Sequence, residues 1–222
     1  GRCLARVHGA WVRVHRWVEG SPPAPGERSA DAAALLAAIH AGAPPSVAAL
    51  DDEPWDAEGW ASLADQTGMP ADLSAALRGA AVALAGVETE TSAPGRLDVH
   101  VLSHGDLDPK NTLVVQGTLM AVDWDAAGPR SQVREAVAVA LDWTRDPHDF
   151  RATINAYRDA RGVDVPAEPW VFGGWVSALG GWLVHHAMTR AGTDQGRHEI
   201  VSTMQRLTAL SADLPRYVAA LA

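Results

Sequence analysis

The 222-residue sequence predicts an α+β fold in which a mostly helical lobe surrounds a small sheet and follows a short pair of strands. Short Val- and Leu-rich runs bounded by Gly or Asp, which are typical of strands, occur at 99–102, 113–115 and 119–122. Stretches rich in Ala and Leu with helical spacing lie on both sides of these runs. A segment rich in Pro and Gly at 19–26 separates the first two predicted strands from everything that follows.

The first predicted elements are antiparallel strands at 4–7 and 11–18, joined at Gly9 and Ala10. Apolar and polar residues alternate along the second strand, as they do in a half-buried strand. The Pro/Gly segment that follows can continue neither a helix nor a strand. We therefore expect a boundary near residue 20, with a small unit at 1–20 and the main body of the protein at 21–222.

Helices are predicted before and after the central strand at 99–102. Ser29 or Asp31 can cap the first helix, and two consecutive prolines end it. The last helix contains Pro215, which is expected to break or restart it. The predicted helices span 31–41, 56–66, 70–86, 133–143, 150–160, 170–191 and 194–210.

One stretch of the chain, 170–188, contains no Asp, Glu, Lys or Arg and approaches the length of a membrane-spanning helix. It also contains four glycines and an adjacent pair of histidines, so we interpret it as a buried helix of the large lobe. The tryptophans at 170, 175 and 182 are expected to pack in the core, and His100 is expected to be a packed polar side chain of the central strand.

The composition limits the classes of partner. The formal charge is −9 and no Lys/Arg-rich run is present, which argues against a nucleic-acid partner. An acidic surface would attract a cationic small molecule, although many ordinary proteins are equally acidic. The single cysteine, Cys3, excludes an internal disulfide and favours a reducing, cytoplasmic compartment, and the first residues lack the apolar segment of a signal peptide.

The residues that carry chemistry lie around one predicted hairpin. Residues 104–111 read HGDLDPKN and residues 122–128 read VDWDAAG, so Asp106, Asn111 and Asp123 are expected around the mouth of the hairpin. Carboxylate and amide oxygens suit Mg²⁺ and are poor ligands for Zn²⁺. Protein kinases place a catalytic base and two metal ligands with similar spacing. A hairpin with acidic turn residues is the alternative, but it does not account for this spacing.

These two blocks resemble the aminoglycoside phosphotransferase family, which shares the protein-kinase-like fold with choline kinases. The resemblance implies a large helical lobe with a small β-hairpin catalytic core, preceded by a truncated remnant of the small lobe. Residues 1–20 would be the small-lobe remnant and the hinge, and 21–222 the C-terminal catalytic lobe. The implied reaction transfers the γ-phosphate of ATP or GTP to a hydroxyl of a small molecule, for which a cationic amine or an aminoglycoside is a candidate.

The resemblance also assigns roles within the loop. Asp106 would accept or orient the proton of the attacking hydroxyl, while Asn111 and Asp123 would hold Mg²⁺ against the phosphates. His104 would support the catalytic loop through hydrogen bonds. Asp125 would face the acceptor or support the metal ligands.

A nucleotide site follows from the same resemblance. The Arg16 carbonyl and the Val18 amide would face the adenine edge, although the end of an ordinary strand explains this segment equally well. Leu113 and Val122 would form the apolar floor under adenine. Glu135, Asp142 and Asp149 are candidates for contacting a cationic acceptor, with plain surface charge as the alternative for each.

Two departures from the family pattern leave alternatives open. Many members carry His and Gly where this chain has Asp108 and Lys110, and Lys110 would either contact a phosphate or be a solvated loop residue. No glycine-rich phosphate loop precedes the predicted hinge, and Lys110 is the only lysine. The chain would then be the C-terminal portion of a longer protein or a shortened relative with weak or no activity.

Two other functions remain open at this point. A non-catalytic kinase-like module that binds a ligand or partner is the main alternative, and a metal-dependent phosphoesterase built on His104 and Asp106 is weaker because it needs further ligands. The oligomeric state is left open.

Overall fold

The computed structural model describes residues 4–13, 17–24, 26–47, 54–66, 68–92 and 98–222. Helices form most of this structure, and the predicted α+β class is confirmed. The helices are α1 (Ser29–Gly42), α2 (Ala57–Leu63), α3 (Ala71–Thr91), α4 (Gln132–Trp143), α5 (Pro147–Arg161), α6 (Gly173–Thr189) and α7 (Asp194–Leu221). The strands are β1 (Leu4–Val7), β2 (Ala10–Arg13), β3 (Pro45–Ser46), β4 (His100–Ser103), β5 (Thr112–Val115), β6 (Thr118–Ala121) and β7 (Gly128–Ser131).

The strands form three small antiparallel sheets: β1 with β2, β3 with β4 and β7, and β5 with β6. The sequence pattern did not indicate strand β7. It predicted instead that a helix follows Gly128 and Pro129 directly. The four residues of β7 lack the apolar alternation of a strand, and they are held in place by pairing with β4. Ser131 ends β7 and caps α4 by accepting a hydrogen bond from Arg134 N, 3.2 Å away.

The second N-terminal strand matches its prediction only in part. Strand β2 covers Ala10–Arg13, and no strand is present at 17–20, so the predicted continuation to Val18 is wrong at 17–18, while residues 14–16 lie outside the described residues. Further along, Val114 N donates to the Ser21 carbonyl at 2.8 Å. This bond attaches residues 17–24, which we call the linker, to β5. A Cβ on Gly20 would lie 2.9 Å from the Val114 carbonyl oxygen, so this close approach requires glycine.

The core lies among the helices. Helix α1 packs on α5, and α7 packs on α3, α5 and α6. The largest side chains that are fully buried include Trp60, Trp143, Phe150 and Phe172, and each contributes about 2–3 kcal/mol through burial of its apolar surface. This helical mass supports the loop between β4 and β5 from one side.

The helix boundaries correct two predictions. Helix α3 continues to Thr91, beyond the predicted end at Gly86. Helix α7 runs without a break through Pro215 to Leu221, because the burial of Leu214 and Leu221 outweighs the lost backbone hydrogen bond.

The predicted core tryptophans divide into two groups. Trp170 and Trp175 are buried as expected, whereas Trp182 is 47% exposed and donates its indole N–H to Glu199. In the described part of the chain, no helix combines the length and the apolar character that a membrane crossing requires.

Candidate active site

The loop between β4 and β5 takes its shape from local features of its sequence. Gly105 has a φ of +80°, and a side chain there would overlap the Ala126 carbonyl oxygen, so only glycine fits. Asp108 caps the short turn Pro109–Asn111 by accepting a hydrogen bond from Asn111 N at 3.1 Å. Pro109 opens that turn, where its missing N–H costs nothing.

Asp106 and Asn111 meet directly. Asn111 Nδ2 donates to Asp106 Oδ2 at 2.7 Å and to the Asp106 carbonyl at 2.9 Å. The Asp106 side chain is 45% exposed, whereas Asn111 is buried. The amide nitrogen donates to Asp106, and the amide oxygen is the acceptor atom that Asn111 can offer to a cation.

Asp123 lies at the same end of the hairpin as Asn111. The Val122 N–H donates to the Asn111 carbonyl at 2.9 Å, one step beyond the last pair of the β5–β6 ladder. Asp123 follows with φ 56° and ψ 68°, a left-handed conformation that Asp tolerates better than most residues. It is exposed, and Asp125 lies just beyond it, also exposed, in the turn Trp124–Ala126.

His104 connects the loop to the end of β6. Its ring is fully buried, with Nε2 2.8 Å from the Val122 carbonyl and Nδ1 accepting from Asp106 N at 3.3 Å. A carbonyl only accepts and an amide N–H only donates, so these partners place the proton of His104 on Nε2. Its ring also packs against Trp124, with 4.7 Å between the ring centroids.

The residues predicted for adenine lie on one face of the hairpin. Leu113 pairs with Met120 in the ladder, and Val122, two residues after Met120 and just beyond the end of β6, extends the same face. The linker lies beside it, because a Cβ on Gly20 would be 3.1 Å from Leu113 Cβ. Val18 is half-buried in this linker, and Arg16 lies outside the described residues.

Lys110 pairs with two carboxylates of the loop. Its Nζ lies 2.5 Å from Asp108 Oδ2 and 3.6 Å from Asp106 Oδ2, although the side chain is 71% exposed. Burial favours the neutral amine, but the two carboxylates outweigh it and raise the pKa of Lys110 above its usual value. Lys110 is thus exposed and ion-paired at the same time.

A buried network that the sequence did not reveal anchors the loop from below. Glu135 Oε1 accepts from Gly105 N at 2.8 Å, and Glu135 Oε2 lies 2.9 Å from His40 Nε2. His40 Nδ1 lies 2.8 Å from the Tyr157 hydroxyl. Glu135 was predicted to contact an acceptor or to be a surface charge. It is 7% exposed and points at the backbone of the loop, so both interpretations are wrong.

The charges of this network depend on its hydrogen bonds. Burial alone would raise the pKa of Glu135, but the bonds from His40, Ser103 and Gly105 N outweigh burial and lower the pKa. Burial raises the pKa of Tyr157, so its hydroxyl keeps its proton and can donate to His40. A signal was present in the sequence, because Glu135 and His40 interrupt otherwise apolar helical faces.

The other two acidic candidates occupy different environments. Asp142 Oδ1 accepts from Trp175 Nε1 at 2.9 Å and pairs with Arg206 Nη2 at 2.5 Å. Burial raises the pKa of Asp142, and the Arg206 guanidinium partly offsets this effect. Asp149 is exposed in the first turn of α5.

The donor set suits a hard cation that completes its coordination with phosphate or water. Asn111 and Asp123 offer an amide oxygen and a carboxylate, the combination expected for Mg²⁺ bound together with a nucleotide. Within the described ranges, no three His, Cys, Asp or Glu side chains are arranged to hold a metal ion by themselves.

Comparison with known proteins identifies the family. A family model described as the phosphotransferase enzyme family matches residues 2–168, about three quarters of the chain. The chain belongs to this family. A comparison with curated proteins gave no match.

Solved structures of this family and its neighbours share the fold, and the expected protein-kinase-like architecture is confirmed. A choline/ethanolamine kinase family protein from Mesorhizobium loti is 19% identical with a TM-score of 0.61, over 95% of this chain and 72% of that one. An aminoglycoside phosphotransferase from Alicyclobacillus acidocaldarius is 18% identical with a TM-score of 0.58, over 98% and 74%. A spectinomycin phosphotransferase, solved with ADP and spectinomycin, is 12% identical with a TM-score of 0.62, over 99% and 74%.

Proposed function

We propose that this phosphotransferase family member transfers the γ-phosphate of ATP or GTP to a hydroxyl of a small molecule. One observation carries the proposal: the hydrogen bonds of Asn111 join Asp106 to the end of the hairpin that carries Asp123. The proposed base and metal ligands therefore belong to one hydrogen-bonded unit, which supports the positioning that phosphoryl transfer depends on.

Asp106 would orient the acceptor hydroxyl and take its proton. Asn111 Nδ2 donates a hydrogen bond to Asp106 Oδ2 at 2.7 Å, so Asp106 Oδ1 is left to accept a hydrogen bond from the acceptor hydroxyl. As the acceptor oxygen forms its bond to the γ-phosphorus, the bond from phosphorus to the β-phosphate oxygen breaks. The hydroxyl proton passes to Asp106.

The Asn111 amide oxygen and the Asp123 carboxylate would hold Mg²⁺. When bound, the ion neutralises the negative charge that develops on the phosphates. Asp123 is exposed and turned out of the strand by its left-handed backbone, which leaves its carboxylate accessible to such an ion. His104 would keep Asp123 in place through the Val122 carbonyl, and Asp125 would support it or face the acceptor.

The nucleotide base would lie between the linker and the hairpin. Leu113 and Val122 share a face that the linker approaches at Gly20, which supports their proposed contact with adenine. The backbone of Arg16 and Val18 would supply the hydrogen bonds to the adenine edge. In this proposal, residues 1–20 form part of a small lobe and hinge, and 21–222 form the catalytic lobe.

The acceptor would be a small cationic molecule, either an amine or an aminoglycoside. Asp106 and Asp108 would lie next to the acceptor in this proposal, and Lys110, which pairs with both, neutralises only part of their charge. Asp142 lies close enough to Asp108 for the Asp108 charge to raise the Asp142 pKa, a smaller effect than burial. The acidic balance of the whole chain, −9, supports the same class of acceptor.

The test compares Asp106→Asn with Asp159→Asn, a matched change at an exposed position of α5. We expect acceptor-dependent release of ADP or GDP from a panel of amino alcohols and aminoglycosides. Asp106→Asn should lower this rate by about 10²-fold or more, and the control should leave it unchanged. Asp123→Asn should raise the Mg²⁺ concentration needed for half-maximal rate by about tenfold. Equal turnover by wild type and Asp106→Asn would refute the proposal.

A non-catalytic nucleotide-binding module is the second candidate. The observation in its favour is Lys110 Nζ, 3.6 Å from Asp106 Oδ2, because an ammonium group beside a base opposes proton transfer to it. Calorimetry separates the two functions: binding of Mg·ATP with no turnover of any acceptor supports the module. Lys110→Ala then tests the cause, because it should restore turnover if the ion pair suppresses the base.

A further inference from the structure

A cavity lies beside α4, on a different face of that helix from the one that carries Glu135. Its volume is about 430 Å³, and helices α2, α3 and α6 form its walls. Arg134 lines it, while the next residue, Glu135, reaches the loop through Gly105 N. Because successive helical residues point about 100° apart, α4 separates the two sites.

The polar feature of this cavity is the Glu88 carboxylate. Its Oε2 atom accepts from Trp55 N at 2.8 Å and from Trp60 Nε1 at 3.0 Å. Its Oε1 atom faces Gly180, where a Cβ would lie only 3.1 Å away. Among the described residues, no donor contacts Oε1, and burial raises the pKa of Glu88. One carboxylate oxygen is therefore satisfied, and the other is open to a ligand.

The two indole rings beside Glu88 complete an aromatic wall. Their centroids lie 5.2 Å apart with 51° between the planes. Trp60 is buried in the core, whereas Trp55 is 38% exposed and both residues line the cavity. Rings held next to a carboxylate attract a cation through their negative faces, by about 0.5–2 kcal/mol for each well-placed ring.

The other residues that line the cavity leave space for a ligand and add little positive charge to offset that of Glu88. Gly180 and Gly181 of α6 present no side chains to the cavity. The charge of Arg134 is offset by Asp98, 3.7 Å from its Nε, and its guanidinium lies 5.6 Å from the Trp170 ring centroid. Glu88 therefore remains as the charge that a ligand would meet.

We propose that this cavity binds an organic ammonium cation. The charged nitrogen would lie against Glu88 Oε1, and its alkyl groups would pack on Trp55 and the glycine surface of α6. A charge-assisted contact with a half-buried carboxylate gives selectivity for cations, and the indoles favour alkylated ammonium groups over hydrated inorganic ions. The site does not depend on phosphoryl transfer.

The probe is tetramethylammonium, which has no hydroxyl and cannot accept a phosphate, so the result is independent of the proposed activity. The indole N–H resonances of ¹⁵N-labelled tryptophan report binding, because the Trp60 N–H bonds directly to Glu88. Signals of Trp55 and Trp60 are assigned with Trp→Phe variants. Sodium chloride at equal ionic strength controls for charge screening.

We expect saturable shifts of the Trp55 and Trp60 signals. Glu88→Gln keeps an acceptor for both N–H groups but removes the charge, and it should weaken binding about tenfold. Gly180→Ala should weaken it by filling the space at Oε1. Gly86→Ala, an exposed glycine on α3 with no neighbour within 4 Å of the added Cβ, is the control and should bind like wild type.

Three results would overturn the proposal: no shift at Trp55 and Trp60, equal shifts with sodium chloride, or unchanged affinity in Glu88→Gln and Gly180→Ala. If Glu88→Gln fails to fold, as judged by thermal unfolding, Gly180→Ala alone decides the outcome.

Discussion

Replacing Glu135 with alanine removes the side chain that holds the loop between β4 and β5 from inside the protein. Three groups would lose their acceptor: the Gly105 N–H, now 2.8 Å from Oε1, His40 Nε2, now 2.9 Å from Oε2, and the Ser103 hydroxyl. The His40 side chain is fully buried, so water cannot replace the carboxylate without opening the core.

The expected loss follows from these contacts. Leaving a buried polar group unsatisfied costs about 1–3 kcal/mol, and the change removes the acceptor of more than one such group. We therefore expect Glu135→Ala to lower the free energy of unfolding by about 3–5 kcal/mol, a large part of the 5–15 kcal/mol typical of a domain. Glu135→Gln keeps an acceptor for Gly105 N–H and should cost about 1–3 kcal/mol.

Urea unfolding of Glu135→Ala, His40→Ala and the double variant measures this effect. Because the two side chains share one contact, the cycle should give a coupling energy of about 1–3 kcal/mol. Hydrogen exchange at the Gly105 amide supplies a local readout and should accelerate in Glu135→Ala. A coupling energy near zero with unchanged exchange at Gly105 would show that the network does not anchor the loop.

The same carboxylate predicts a pH dependence. The pKa of Glu135 in the folded protein lies below its ordinary value of 4.5, so its contribution is fully present above about pH 4.5. The contribution is lost as the pH falls through the folded-state pKa. Unfolding free energies measured from pH 6 downward should therefore fall less steeply in Glu135→Gln than in wild type, and equal slopes would contradict the assignment.

Three further substitutions and one control test the fold. Gly105→Ala should abolish stable folding of the loop, because Gly105 has a φ of +80° and the added Cβ would overlap the Ala126 carbonyl. Gly117→Ala is the control: its φ is similar, but no atom lies within 4 Å of the added Cβ. It should lower the free energy of unfolding, measured by thermal unfolding, by only about 1–2 kcal/mol. Trp143→Phe removes the 2.8 Å bond from Nε1 to the Leu107 carbonyl and should lower stability by about 1–3 kcal/mol, and an unchanged melting temperature would contradict this. Pro215→Ala restores a backbone donor at an exposed position of α7 and should raise stability by about 1–3 kcal/mol. A loss of stability would show that proline is favoured there.

The hairpin and its flanking loops were predictable because their signals are local. The turn at Gln116 and Gly117, the apolar strands around it and the capping Asp108 all lie within a dozen residues of Asn111. Each feature acts on its own neighbours, so the sequence alone indicated that Asp106 and Asn111 lie at the end of the hairpin that leads to Asp123. Their catalytic roles stay predictions.

The features that were missed depend on distant contacts. Glu135 and His40 are 95 positions apart, and a charged residue on a helix is usually exposed, so nothing local revealed their contact. Strand β7 exists because β4 lies beside it, despite a Gly-Pro start. Helix α7 passes Pro215 because tertiary packing outweighs helix propensity.

The backbone of Val122 is held on both sides, because its N–H donates to the Asn111 carbonyl and its own carbonyl accepts from His104 Nε2. Val122 cannot shift along the hairpin without breaking both hydrogen bonds at once. The position of Asp123 relative to Asn111 is therefore held constant. Evolution toward a new acceptor would then proceed by remodelling the surrounding helices while this segment stays rigid, which would let related chains diverge in substrate while retaining the same loop.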